Sequence, residues 1–384
     1  MHLVVLDVHL SAVQVLLVAE IFQIAMIRLF RIAFVPVVWL LLAKGMVLGQ
    51  TQIPAQETAP ASSPVSISST ILKAQAPTVS ASSPATVWVT PTLDCGAAST
   101  RPPSRVAHTL KNNPSTASVL HRKPLMAIFA AQVDTLSGYI VDEAERVLIL
   151  DMPNLREQGK MFSRIVVFLE KGNTPKTRIL TTGELQEWMK DSHTSIEQLT
   201  AGNNMHVADL VRFFNTAHQQ GEPLTHNERR LLDLLQNWNV LREVDSQWVL
   251  VEPDRFLVTI PQSSMVRGCK QCLVTAAQRC TILEHEMSHA KFALDNDYRE
   301  HTLRFWFKTM SLDVREKFVS FLTSRGYDPN NHELMIDEMQ AFLMHTPDTA
   351  MFSASELGVT HADLEDLRQA FNKSAALAAE DRMP

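Results

Sequence analysis

TILEHEMSHAKF, residues 281–292, sets two histidines four positions apart with a glutamate directly after the first. On an α-helix, residues four apart lie about 40° from each other round the axis. The imidazoles of His285 and His289 would therefore project side by side and could share one ion, with Glu286 one step round. Leu283, Met287, Ala290 and Leu294 fall on the face away from the histidines, so the spacing predicts a helix with a core side and a side open to chemistry. On a solvated helix the same three residues would be ordinary polar groups. Their setting counts against that: the neighbours are apolar, and a strand-like run precedes them.

Metal chemistry uses these residue types. Neutral imidazole nitrogens bind zinc at about 2.0–2.1 Å, and the ion lowers the pKa of its bound water to about 7. An adjacent carboxylate can take the water's proton and later pass it to a leaving amine. The stretch His285-Glu286-Met287-Ser288-His289 resembles the HExxH signature of the zincin metallopeptidases. The resemblance implies that His285 and His289 ligate zinc and that Glu286 is the general base. It also implies a strand beside the substrate cleft, for which Arg255–Ile260 (RFLVTI) is the candidate; a peptide substrate could add to its edge.

A three-ligand site needs one more donor. Phe292 and Asp295 stand where the metzincin continuation has Gly and His, so that branch is ruled out. ELMIDEMQAFLMHTP, 333–347, reads as a second helix buried on several sides and ended by Pro347. A carboxylate buried there calls for a cation, and Asp337-Glu338-Met339-Gln340-Ala341 resembles the glutamate-bearing second helix of gluzincins. Glu338 is thus the expected third ligand. His345, two turns along, is the rival or an orienting group, and Asp337 is placed to hold a histidine by hydrogen bond. The ordinary alternative pairs Glu338 with an arginine such as Arg304. Between the helices, Tyr298, His301 and Arg304 are candidates to stabilise the oxyanion of the reaction; taken singly, each is better read as part of a solvated face.

Cys269, Cys272 and Cys280 cluster just ahead of the motif, with Cys95 far upstream. One CxxC with a third cysteine is a weak zinc signal. In an exported chain a disulfide bracing the loop before the helix is the better expectation, its pairing open. Arg28 and Arg31, then the apolar run 32–43 and small residues to Gly49, read as a secretory signal starting at Met26. An uncleaved anchor over residues 8–27, burying Glu20, is the competing reading. Either way the bulk of the chain is expected outside the cytosol, periplasmic or extracellular, free after cleavage or tethered to a membrane by the anchor.

Residues 50–124, rich in Pro, Ser, Thr and Ala, offer too little apolar surface to order and read as a flexible linker. The folded part is expected at 125–384, with an N-terminal lobe over 125–250 and a metal-binding lobe over 251–384. Arg146–Leu150, Arg164–Leu169, Trp248–Val251 and Phe256–Ile260 read as strands. Thr225 with Glu228, and Thr360 with Asp363, read as helix caps. The fold class is therefore α+β, a small mixed or antiparallel sheet followed by a helical region. A formal charge of −6, with 46% apolar residues, gives no basic stripe and sets nucleic-acid binding aside. The expectation is a zinc-dependent peptidase acting on peptides or proteins. A non-catalytic cell-envelope binding module on the same scaffold is the alternative.

Overall fold

The computed structural model describes residues 104–106, 119–199, 201–251, 255–266 and 273–380, all within the unit Ser82–Pro384. The expected signal or anchor and most of the linker lie outside the described residues. The strands are β1 (Ser104–Val106), β2 (Leu120–Lys123), β3 (Ser137–Val141), β4 (Ala144–Met152), β5 (Asn203–His206), β6 (Leu241–Val244), β7 (Gln247–Leu250), β8 (Phe256–Pro261) and β9 (Ser264–Val266). The helices are α1 (Leu125–Ala130), α2 (Leu155–Leu169), α3 (Thr182–Asp191), α4 (Ile196–Leu199), α5 (Val207–Gln220), α6 (His226–Asn237), α7 (Ala276–Leu294), α8 (Asn296–Arg304), α9 (Leu312–Ser324), α10 (His332–His345), α11 (Ala354–Leu357) and α12 (His361–Glu380), with a π-turn at Phe305–Thr309 between α8 and α9.

This is a mixed α+β fold. Five strands form one sheet in the order β2-β3-β4-β8-β5. β2 runs parallel to β3, β3 antiparallel to β4, β4 parallel to β8, and β8 antiparallel to β5. Alternate side chains of a strand face opposite ways, and β4 uses both faces. Leu148 and Leu150 enter a core shared with α2, α5 and α6, while Val147 and Ile149 enter one shared with α1 and α7. A third apolar cluster joins α9, α10, α11 and α12 through Phe318, Met339 and Phe371.

The local signals behave as the sequence suggests at the caps. Thr225 and Glu228 close a capping box at the start of α6, and Thr360 exchanges bonds with Asp363 at the start of α12. Helix α7 begins the same way: Thr275 accepts from Gln278 N–H at 3.1 Å and the Gln278 side chain accepts from Thr275 N–H at 2.9 Å. One turn in, Arg279 is clamped by Asp151 of β4 at 2.9 Å on both nitrogens and by the Pro261 carbonyl at 2.8 Å. Cys280, next in the chain, is disulfide-bonded. The cap and the Arg279 clamp fix the first turns of α7 against the sheet.

Four expectations need correction. Arg164–Leu169 is not a strand but the end of α2. Helix α2 repeats its apolar residues at helical spacing (Leu155, Met161, Phe162, Ile165, Val166, Leu169), and the six residues 164–169 are too short a window to show it. Arg164 is itself buried there, bound to both Glu228 oxygens at 2.8 and 2.7 Å. Second, β8, which holds RFLVTI, is an interior strand; the edge on that side is β5. Third, β2 and β1 fall inside the stretch expected to be linker, so folded structure starts before residue 125. Fourth, β4 and β8 are neighbours in one sheet, so the sheet crosses the boundary expected at residue 250.

Candidate metal centre

His285 and His289 stand on one face of α7, their ring centroids 4.9 Å apart. Helix α10 packs against this face and brings Glu338 opposite them. His285 Nε2 is 3.7 Å from Glu338 Oε2, and His289 Nε2 is 3.8 Å from Glu338 Oε1. These gaps exceed hydrogen-bond length. Two donors on one tetrahedral zinc ion, each about 2.0–2.1 Å from it, would sit about 3.4 Å apart. One ligand atom from each of the three residues lies within 4.8 Å of the other two. All three side chains are buried, and His289 Nε2 and Glu338 Oε2 have no hydrogen-bond partner. Buried polar atoms are rarely left so, and a bound cation would satisfy them. Arg304 is exposed and does not fill this role.

Behind each ring stands a polar neighbour at Nδ1, which leaves Nε2 facing the cluster. Thr346 Oγ1 donates to the Ala341 carbonyl at 2.9 Å, so at its 2.8 Å contact with His285 Nδ1 it must accept, and the ring carries its proton on Nδ1. His289 Nδ1 lies 2.8 Å from Asp337 Oδ1, an ion-pair contact without hydrogen-bond alignment, so Asp337 sits behind the ring where an orienting group was expected. Asp337 in turn accepts from Gln340 Nε2 at 3.1 Å, and Gln340 Oε1 accepts from Tyr298 at 2.7 Å.

The electrostatics also favour a cation. Burial would lower the His289 pKa, yet Asp337 and Glu338 outweigh it and push it up to about 10. Burial would raise that of Glu338, but the two histidines hold it below the usual carboxylate value. A proton on His289 thus balances the cluster when no metal does.

Glu286 is buried at the same level. Asn204 of β5 donates to its Oε2 at 3.0 Å. Gly202, immediately before β5, lies so close that a Cβ there would collide with the Glu286 carboxylate and push it aside, so a glycine keeps that carboxylate where it is. Burial pushes the Glu286 pKa up. In front of it opens a cavity of about 280 Å³ lined by His285, Glu286, Glu338, Asn204, Glu170 and Tyr327, among others. Glu170 is raised to about 7, first by burial, which Lys171 partly offsets, then by the charges of Glu338 and Glu286. Tyr327 is held protonated by burial and by Glu338, Glu170 and Glu286.

Sequence reasoning missed Asn204, Gly202, Thr346, Glu170 and Tyr327. Only Gly202, a glycine leading into a strand, carried a usable signal. The other expected site residues lie elsewhere. The Tyr298 hydroxyl is engaged with Gln340 and, at 3.1 Å, with His345 Nε2. His301 packs its ring on Phe371, centroids 4.4 Å apart. Neither Tyr298 nor His301 lines the cavity in front of Glu286, and His345 is outside the ligand cluster.

No protein-family model, curated protein or solved structure matches the chain. Among the described residues no helix is long and apolar enough to cross a membrane.

Proposed function

We propose that the chain is a zinc-dependent peptidase, with His285, His289 and Glu338 as ligands and Glu286 as general base. The observation that carries this reading is the convergence of three buried ligand atoms beside a carboxylate fixed at the mouth of a cavity. A zinc ion there would polarise the substrate carbonyl and make water nucleophilic near neutral pH. Glu286 takes the proton as the water oxygen bonds to the carbonyl carbon, and gives it to the amine when the C–N bond breaks. Asn204 keeps the carboxylate aimed during both transfers. Tyr327, protonated and in the same cavity, replaces Tyr298 and His301 as the donor to the developing oxyanion. Asp337 and Thr346 hold the histidine tautomers. An extended substrate pairs with β5, the edge beside Glu286. The Cys280 disulfide supports a place outside the cytosol, where such bonds persist.

Two substitutions test it. Glu286→Gln should keep bound zinc and lose about 10²–10⁴-fold in turnover, whereas His285→Ala should lose both metal and activity. Full hydrolysis in either variant would remove the peptidase reading. Stoichiometric zinc with no hydrolysis by the unaltered chain would instead favour a binding module.

A further inference from the structure

A second cavity, of about 260 Å³, adjoins the first and shares Glu170 and Asn204 with it. Its walls continue those of the first in register. Along β5 the first cavity is lined from Gly202 to Asn204 and the second from Asn204 to His206. Along α7 the lining passes from Ile282, His285 and Glu286 to Phe292 and Ala293, and along α10 it passes from Phe342 and Glu338 back to Asp337 and Leu334. The two cavities therefore follow one another along β5 and the same two helices, with His285 and Glu338 on the wall of the first and Asp337 on the wall of the second.

The backbone of β5 is phased to use it. Val207 N–H donates to Arg255 O at 2.9 Å, continuing the antiparallel register in which Asn203 faces Thr259 and Met205 faces Leu257. In such a ladder alternate residues turn their N–H and C=O toward the partner strand. Asn203, Met205 and Val207 therefore face β8, and the N–H and C=O of Asn204 face the open edge. Asn204 thus presents its backbone to the groove at the point where the two cavities meet, while its side chain holds Glu286.

Resting on the peptidase reading above, we propose that the second cavity is the other half of a single substrate groove, and that the enzyme cuts within an extended polypeptide instead of at a chain end. The occupant is an unfolded segment lying along β5, with residues on both sides of the scissile bond seated. Water adds across that bond, giving a new carboxylate on one fragment and a new amine on the other.

The test uses the zinc-loaded chain on peptides of one central sequence, either free at both ends or acetylated and amidated. Cleavage should occur at an internal bond with blocked and free ends alike, and should weaken as residues on either side are removed. In Leu334→Trp, which fills the second cavity away from the metal, kcat/KM on the long blocked peptide should fall about tenfold or more, with zinc content and melting temperature kept and Leu334→Met near the unaltered value. Release of single terminal residues, with blocked peptides resistant, would overturn the proposal while leaving the peptidase reading standing. No zinc-dependent cleavage of any peptide would overturn both.

Discussion

Two histidine pairs lie in the helical part of the molecule, three of the four rings buried and His345 half-buried, and they differ in what surrounds them. His285 and His289 turn toward carboxylates: Glu338 faces both Nε2 atoms, Asp337 backs His289, and Glu286 lies beside them. His301 and His345 are set among aromatic rings, on Phe371 and against Tyr298. The first environment draws a positive charge in, raising His289 to about 10. The second excludes one: burial, aided by nearby cations, lowers His301 to about 4 and His345 to about 3. Burial alone therefore does not make a setting fit for a cation; acidic groups brought from another helix do.

The sharpest way to break this contrast is to compare the two tyrosines that go with the pairs. Tyr327→Phe should cost about 10²–10³-fold in kcat, the scale of one lost oxyanion donor, with zinc retained. Tyr298→Phe should change kcat only severalfold and cost about 1 kcal/mol of stability through its lost bond to Gln340. Equal kinetic losses would show that the two regions do not divide as described.

Next in size is the support behind the metal. Asp337→Asn weakens the hold on His289 Nδ1 and should lower zinc affinity about 10–100-fold, measured by competition with a chelator. Unchanged affinity would detach Asp337 from the site.

The smallest effect concerns the neutral pair. Both histidines have folded pKa values below the unfolded value of about 6.5. At neutral pH and above, neither folded nor unfolded chain binds these protons, and the full stability is present. As the pH falls below about 6.5 the unfolded chain binds them first, so stability declines down to about 4 for His301 and about 3 for His345. Per histidine the slope is at most about 1.4 kcal/mol per pH unit. Urea denaturation at pH 7 and pH 5 of the unaltered chain and of His301→Leu should show a shallower loss in the variant. The metal's own pH dependence is common to both and cancels in the difference. Parallel losses would place His301 in a site that accepts its proton.

The centre was legible from sequence where it depends on spacing within one helix. His285, Glu286 and His289 share a turn, and Asp337 and Glu338 sit on a helix whose apolar surround made a lone carboxylate conspicuous. Everything that depends on how strands are ordered was not legible. RFLVTI has the apolar content of a strand covered on both faces, and nothing local says that β5 would lie outside it. Asn204 and Thr346 act through contacts with residues far along the chain, and Tyr327 sits on a connection between helices with no motif of its own. The Arg164–Leu169 run was misread because six residues are too short a window to show the helical period that the whole of α2 carries, and its arginine signals neither state.

The most direct test of the account is the metal itself: its content in the purified chain, and its coordination in a crystal of the zinc-loaded protein. The account predicts one ion per chain, bound by His285 Nε2, His289 Nε2 and Glu338, with Glu286 near it but not bound. A chain that takes up no divalent ion, or one whose ion leaves Glu338 out of its coordination, would contradict it.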